Sequence, residues 1–92
     1  MSVRPTYGTM DQDSIEAARS VAAQWRERNG EHQGGVVLLW QGKAYGWKDS
    51  LRDPHAERPG AVAVDEAGNI SLAEGGNNLA GAERWVAVHS AH

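Results

Sequence analysis

The stretch GGVVLLWQGKAYGWK at 34–48 constrains this chain more than any other. Val36, Val37, Leu38, Leu39 and Trp40 form an unbroken run of apolar, β-prone side chains. A strand without polar alternation has to be covered on both faces. The next run, 43–48, sets the large Tyr45 and Trp47 among the small Ala44 and Gly46. Between the two runs, Gln41-Gly42 offers the positive φ that a two-residue hairpin turn requires. The stretch therefore reads as a β-hairpin with a buried first strand, and the rest of the chain has to supply its cover.

Residues 11–29 are rich in Ala, Glu, Arg and Gln, which favour a helix. Ile15, Ala18, Ala22 and Trp25 recur at three- and four-residue spacings, and Val21 widens the stripe. Glu16, Arg19, Arg26 and Glu27 fall largely off it. Two capping boxes fit the start, Thr9 with Gln12 and Asp13 with Glu16. Arg26 and Arg28 in the last turn oppose the negative end of the helix dipole, and Asn29-Gly30 supplies the stop. Residues 1–8, with Pro5 and Gly8, read as an arm leading into this helix.

After the hairpin, DSLRDPHAERPG at 49–60 is charged and broken by Pro54 and Pro59, which predicts a loop with room for one helical turn at 50–53. AVAVD (61–65) and NISLA (69–73) alternate in period two around Glu66-Ala67-Gly68, a second hairpin. EGGNNLAG (74–81) is a Gly/Asn loop with Leu79 as its candidate anchor, and RWVAVH (84–89) is a last strand before the tail 90–92. The 92 residues thus predict one α+β domain. One N-terminal amphipathic helix packs on an antiparallel sheet of about five strands, formed by two hairpins and a C-terminal strand. Short connections favour a meander.

Two layers leave one sheet face bare, to be covered by the 49–59 loop or by a partner. Tyr45 and Trp47, two apart in a strand, are expected to share a face. The small Ala44 and Gly46 suit close approach of the helix. Tyr45 and Trp47 should then point away from it, under the loop or into an interface.

Composition narrows the classes of function. The chain has no Cys, which removes disulfides, thiolate nucleophiles and Cys-based zinc sites and fits a cytoplasmic protein. No run approaches a membrane span, and MSVRPTYGTM lacks the apolar core of a signal peptide. A net charge of −3 argues against direct nucleic-acid binding through phosphates, and it is too weak for a polyanion that mimics DNA. The aromatic set is four Trp and two Tyr with no Phe. Such rings carry a polar handle and suit interfaces, and in a small chain they also fill the core.

Catalytic patterns are incomplete. His89-x-x-His92 has no further ligand in register to build a metal site. Ser50, Asp53 and His55 are neighbours in the loop, but no G-x-S-x-G accompanies them. Glu74-Gly75-Gly76-Asn77-Asn78 lacks the Lys-Ser/Thr of a phosphate-binding loop, and Asp65-Glu66 sits on a turn where carboxylates are solvated. No catalytic residue, metal ligand or cofactor is assigned, and a non-enzymatic protein is expected. The candidate binding residues are Trp40, Tyr45, Trp47, Lys48, Asp49, Arg52, Asp53, His55 and Arg58. Arg beside Trp and Tyr is the make-up of an interface hot spot, although a solvated, self-paired loop has the same composition. The partner expected is another protein, or a second copy forming a homodimer; the alternative is a small-ligand pocket between the sheet and the 49–59 loop.

With GGVVLLW, YGWK, the LRDP loop and PGAVAVDEAGN in view, the chain resembles small proteins of bacterial mobile elements, the antirestriction proteins of the ArdR type. The resemblance runs from about the helix to Trp85. It implies a non-enzymatic accessory protein that evades host defence. It brings no functional residue with it. Better-known antirestriction proteins are strongly acidic surrogates of DNA, and this chain is not, so the resemblance implies protein–protein contact rather than charge mimicry.

Overall fold

In a computed structural model, described over residues 10–88, one helix packs across a five-stranded antiparallel sheet. The expected arm at 1–8, Thr9 of one capping box, His89 and the tail 90–92 lie outside the described residues.

Helix α1 spans Gln12–Arg28. Its N-cap is Asp11 rather than Asp13: the Asp11 carboxylate accepts a hydrogen bond from the Ser14 amide at 2.7 Å. That bond holds the Asp11 carboxyl below its ordinary range. Ile15, Ala18 and Ala22 are buried, with Val21 and Trp25 packed beside them. Asn29 ends the helix, its side-chain amide donating to the Trp25 carbonyl at 2.8 Å. Arg26 is not simply a solvated dipole partner. It is half-buried, and its guanidinium donates to the carbonyls of Gly34 (2.8 Å) and Gly35 (3.1 Å), fixing the connector that feeds the sheet.

The strands are β1 (Val36–Trp40), β2 (Lys43–Lys48), β3 (Val62–Asp65), β4 (Ile70–Glu74) and β5 (Arg84–Val88). Gln41 and Gly42 both take positive φ (51° and 81°) in the β1–β2 turn, the signature of a type I′ hairpin. The strand order is β2-β1-β3-β4-β5, which corrects the expected meander. The reason lies in β1: Val36, Val37, Leu38 and Leu39 are each at most 6% exposed, and the strand pairs with β2 on one side and with β3 on the other. β2 is thereby left at the edge, and the chain has to cross β1 to reach β3.

The two faces of the sheet pack against different cover. Toward α1 stand Val37, Leu39, Val64 and Ile70, packed with Ile15, Ala18 and Ala22. On the other face Val36, Leu38 and Ala63 pack with Trp85, and Ala61, Ala73 and Ala82 pack with Trp40 and Trp85. The alanines leave room for the crossover 49–61 to lie close. Of the two covers expected for this face, the loop and a partner, the structure supplies the first: the crossover lies over it together with Trp85, whose indole donates to the Arg52 carbonyl at 3.1 Å.

A β-bulge resets the alternation in β2. Leu38 pairs with Gly46 but Leu39 pairs with Ala44, which leaves Tyr45 as the extra residue. Ala44 and Trp47 accordingly pack on the α1 side, and Tyr45 turns toward the crossover. The expectation that Tyr45 and Trp47 share the face away from the helix is thus overturned for Trp47. Two smaller expectations also change. Residues 50–53 make no helical turn, and the short 3₁₀ turn falls instead at Pro54–Ala56. Leu79 anchors nothing in the described structure, being fully exposed; its loop is organised by the Asn77 side-chain oxygen, which accepts from the amides of Leu79 (2.9 Å) and Ala80 (2.7 Å).

Candidate functional site

Beside the Trp85–Arg52 bond, a buried carboxylate ties the crossover to the sheet. Glu57 is the one charged residue buried among the described residues, 8% exposed. One of its oxygens accepts from the Tyr45 hydroxyl, and the other meets Lys48 Nζ at 2.9 Å. Its backbone carbonyl accepts from the Ala82 amide at 2.8 Å. The Lys48 ammonium also donates to the carbonyl of Arg52 at 3.2 Å, with Asp53 O at 3.5 Å. The bulge is what makes this possible, since it turns Tyr45 to the same side as Lys48. Burial, then the hydrogen bond to Glu57, push the Tyr45 phenol well above its ordinary pKa.

Above this anchor the crossover displays charge. Arg52 reaches Asp49 at 3.0 Å and Asp53 at 3.6 Å, and all three are more than half exposed. His55 is exposed on the 3₁₀ turn, and the Arg58 guanidinium lies 4.7 Å from the centre of the Trp40 ring. Trp40, Tyr45, Ala56, Glu57 and Arg58 line an open cavity of about 330 Å³ beside it. Both Glu57 oxygens are engaged, so the cavity offers an aromatic wall and a guanidinium rather than a free general base.

Of the nine residues singled out in the sequence, eight are brought to this side: Trp40, Tyr45, Lys48, Asp49, Arg52, Asp53, His55 and Arg58. Trp47 is not. It lies on the α1 side, stacked on His32 with ring centroids 4.7 Å apart, and its indole donates to the Gly34 carbonyl at 3.1 Å. The expected pocket between the sheet and the 49–59 loop therefore does not include Trp47. Nothing in the sequence marks Glu57, because a glutamate in a Pro-bounded polar loop looks solvated. Its burial follows from β2 lying at the sheet edge beneath the crossover, which no local pattern encodes.

A second cavity, about 530 Å³, opens on the opposite face between the start of α1 and the sheet, lined mainly by Met10, Ala17, Ala18, Leu39, Val62 and Leu72. No helix among the described residues is long and apolar enough to cross a membrane. Comparison of the chain with protein-family models, with curated proteins and with solved structures finds no match.

Proposed function

We propose that the protein is a non-enzymatic accessory protein that works by contacting another protein through the outer surface of the crossover, with Arg52 and Arg58 as the central contacts. The observation that carries this reading is the buried Glu57 anchor. It fixes the backbone beneath Asp49, Arg52, Asp53, His55 and Arg58, so these charges are offered on a segment already ordered before binding. Pre-ordering removes part of the entropic cost of association, and Arg and Trp are among the residues enriched at interface hot spots. The resemblance to ArdR-type antirestriction proteins supplies the biological setting, a mobile element protected from host restriction in a bacterial cytoplasm.

The test is a restriction-protection assay in bacterial cells, scoring the survival of unmodified incoming DNA with and without the protein. Protection by the wild-type chain, lost in an Arg52→Ala/Arg58→Ala variant that melts normally, is the expected result. Equal protection by both chains would remove the crossover surface from the mechanism, and none by either would remove the antirestriction role. A second reading, a small-ligand site, rests on the cavity walled by Trp40 and Arg58. It predicts quenching of indole fluorescence by a planar anionic ligand, absent in Trp40→Phe.

A further inference from the structure

The two edges of the sheet are built differently. β2 carries the bulge at Tyr45 and a lysine at each end, Lys43 and Lys48. Bulges and lysines are the devices that keep an edge strand from pairing with another chain. Lys48 is committed to Glu57, so at this edge the bulge and the exposed Lys43 stand against pairing. At the other edge, β5 pairs only with β4 among the described residues. It has no bulge in that pairing, no Lys and no Pro.

The side chains of β5 are self-complementary. Alternation puts Val88 and Val86 on the α1 side of the sheet and Trp85 and Ala87 on the crossover side. In an antiparallel pairing of two copies centred on Val86, Val86 faces its own counterpart, and each Trp85 faces the Ala87 of the second copy. The two Arg84 side chains fall at opposite ends, each opposite a Val88. Trp85 then meets the small Ala87, valine meets valine at the centre, and no like charges are opposed. Helix α1 packs on β1, β2 and β3, leaving Leu72, Val86 and Val88 half-buried on its side of the sheet. Pairing at β5 would make that apolar strip continuous across the two-fold axis.

We propose that β5 is a self-association edge, at which two copies of this chain join antiparallel about Val86 into one continuous sheet. The partner is a second copy rather than a foreign peptide because the strand satisfies its own pairing rules in this register, as β2 does not. The crossover surfaces are left free on each copy, so the pairing is compatible with partner binding but independent of it.

Sedimentation of the full chain from micromolar to millimolar concentration tests this. A dimer is expected for the wild type. It should persist in Val86→Thr, which keeps the shape, and be lost in Val86→Lys, which sets two ammonium groups face to face. Because the chain has no cysteine, Val86→Cys supplies one thiol per copy. Under oxidation it should cross-link far faster than Ala87→Cys, whose thiols sit out of register, and this comparison decides the matter even if Val86→Lys fails to fold. A wild-type monomer at every concentration would overturn the proposal. So would a dimer surviving in folded Val86→Lys, or equal cross-linking of the two cysteine variants.

Discussion

Lys48 at the edge of the sheet and Glu57 in the crossover form a 2.9 Å ion pair that ties the first hairpin to the segment arching over it. Lys48 is 17% exposed and Glu57 8%, so the pair is shielded from the solvent that makes surface ion pairs weak. Removing one partner leaves the other charge buried without compensation. Glu57→Ala should cost about 2–3 kcal/mol in urea unfolding, and Glu57→Gln less, because an amide oxygen can still accept from Tyr45 or Lys48. A Glu57→Ala chain as stable as wild type would mean that the pair contributes nothing net.

Tyr45 gives a pH-dependent check on the same contact. Its phenol pKa is raised in the folded protein, chiefly by burial and then by its hydrogen bond to Glu57. A raised folded-state pKa stabilises the fold fully below the unfolded value, about 10 for tyrosine, and that stability fades as the pH rises past it. Wild type should therefore lose stability above about pH 10, and Tyr45→Phe should lose less over the same range. Phenolate absorbance should show a late-titrating tyrosine in the wild type that is lost in Tyr45→Phe.

Trp47 belongs to the monomer core. It packs against the α1 side of the sheet, stacks on His32 and donates to the Gly34 carbonyl. Trp47→Ala should lower stability by about 3 kcal/mol, at the low end for large aromatic truncations because the ring is only half-buried. Thermal melts over a wide range of protein concentration should show the same drop throughout. A loss that appears only at high concentration would return Trp47 to an interface.

The adjacent glycines of the connector separate conformational strain from steric contact. Gly34 and Gly35 both take positive φ, 67° and 58°. A Cβ at Gly34 meets nothing within 4 Å, whereas one at Gly35 would run into the Lys48 carbonyl. Gly34→Ala should cost about 1 kcal/mol, the left-handed penalty alone. Gly35→Ala should cost severalfold more, because the nearest atom is backbone and cannot turn aside. Chemical denaturation of the two variants side by side reads the difference.

How far the sequence discloses this arrangement depends on the range of the forces involved. Helix α1 and the β1–β2 hairpin are legible because their signals are local: a stripe of Ile15, Ala18 and Ala22, an apolar run from Val36 to Trp40, and a glycine at the turn. The same run held a further clue. A strand apolar on both faces calls for cover on both sides of the sheet, which here the helix and the crossover supply. The small Ala61, Ala63 and Ala73 on one face mark where the crossover lies. What stays hidden is the bulge at Tyr45. It breaks the two-residue period from within, so alternation places Trp47 on the wrong face. Glu57 is hidden for a related reason, since its partners belong to a strand it meets only through the crossover.

The central claim is that the charged surface rides on a crossover held in place through Glu57, and amide hydrogen exchange measures that most directly. The amides of Glu57, Gly60 and Ala82 donate to the carbonyls of Pro54, Ala73 and Glu57, respectively. In the wild type they should exchange slowly, with protection approaching that of the β1 and β3 amides. In Glu57→Ala their protection should fall while that of β1 and β3, adjusted for the loss of global stability, is retained. Crossover amides that exchange freely in the wild type would contradict the account, because the charges of Arg52 and Arg58 would then stand on an unanchored loop.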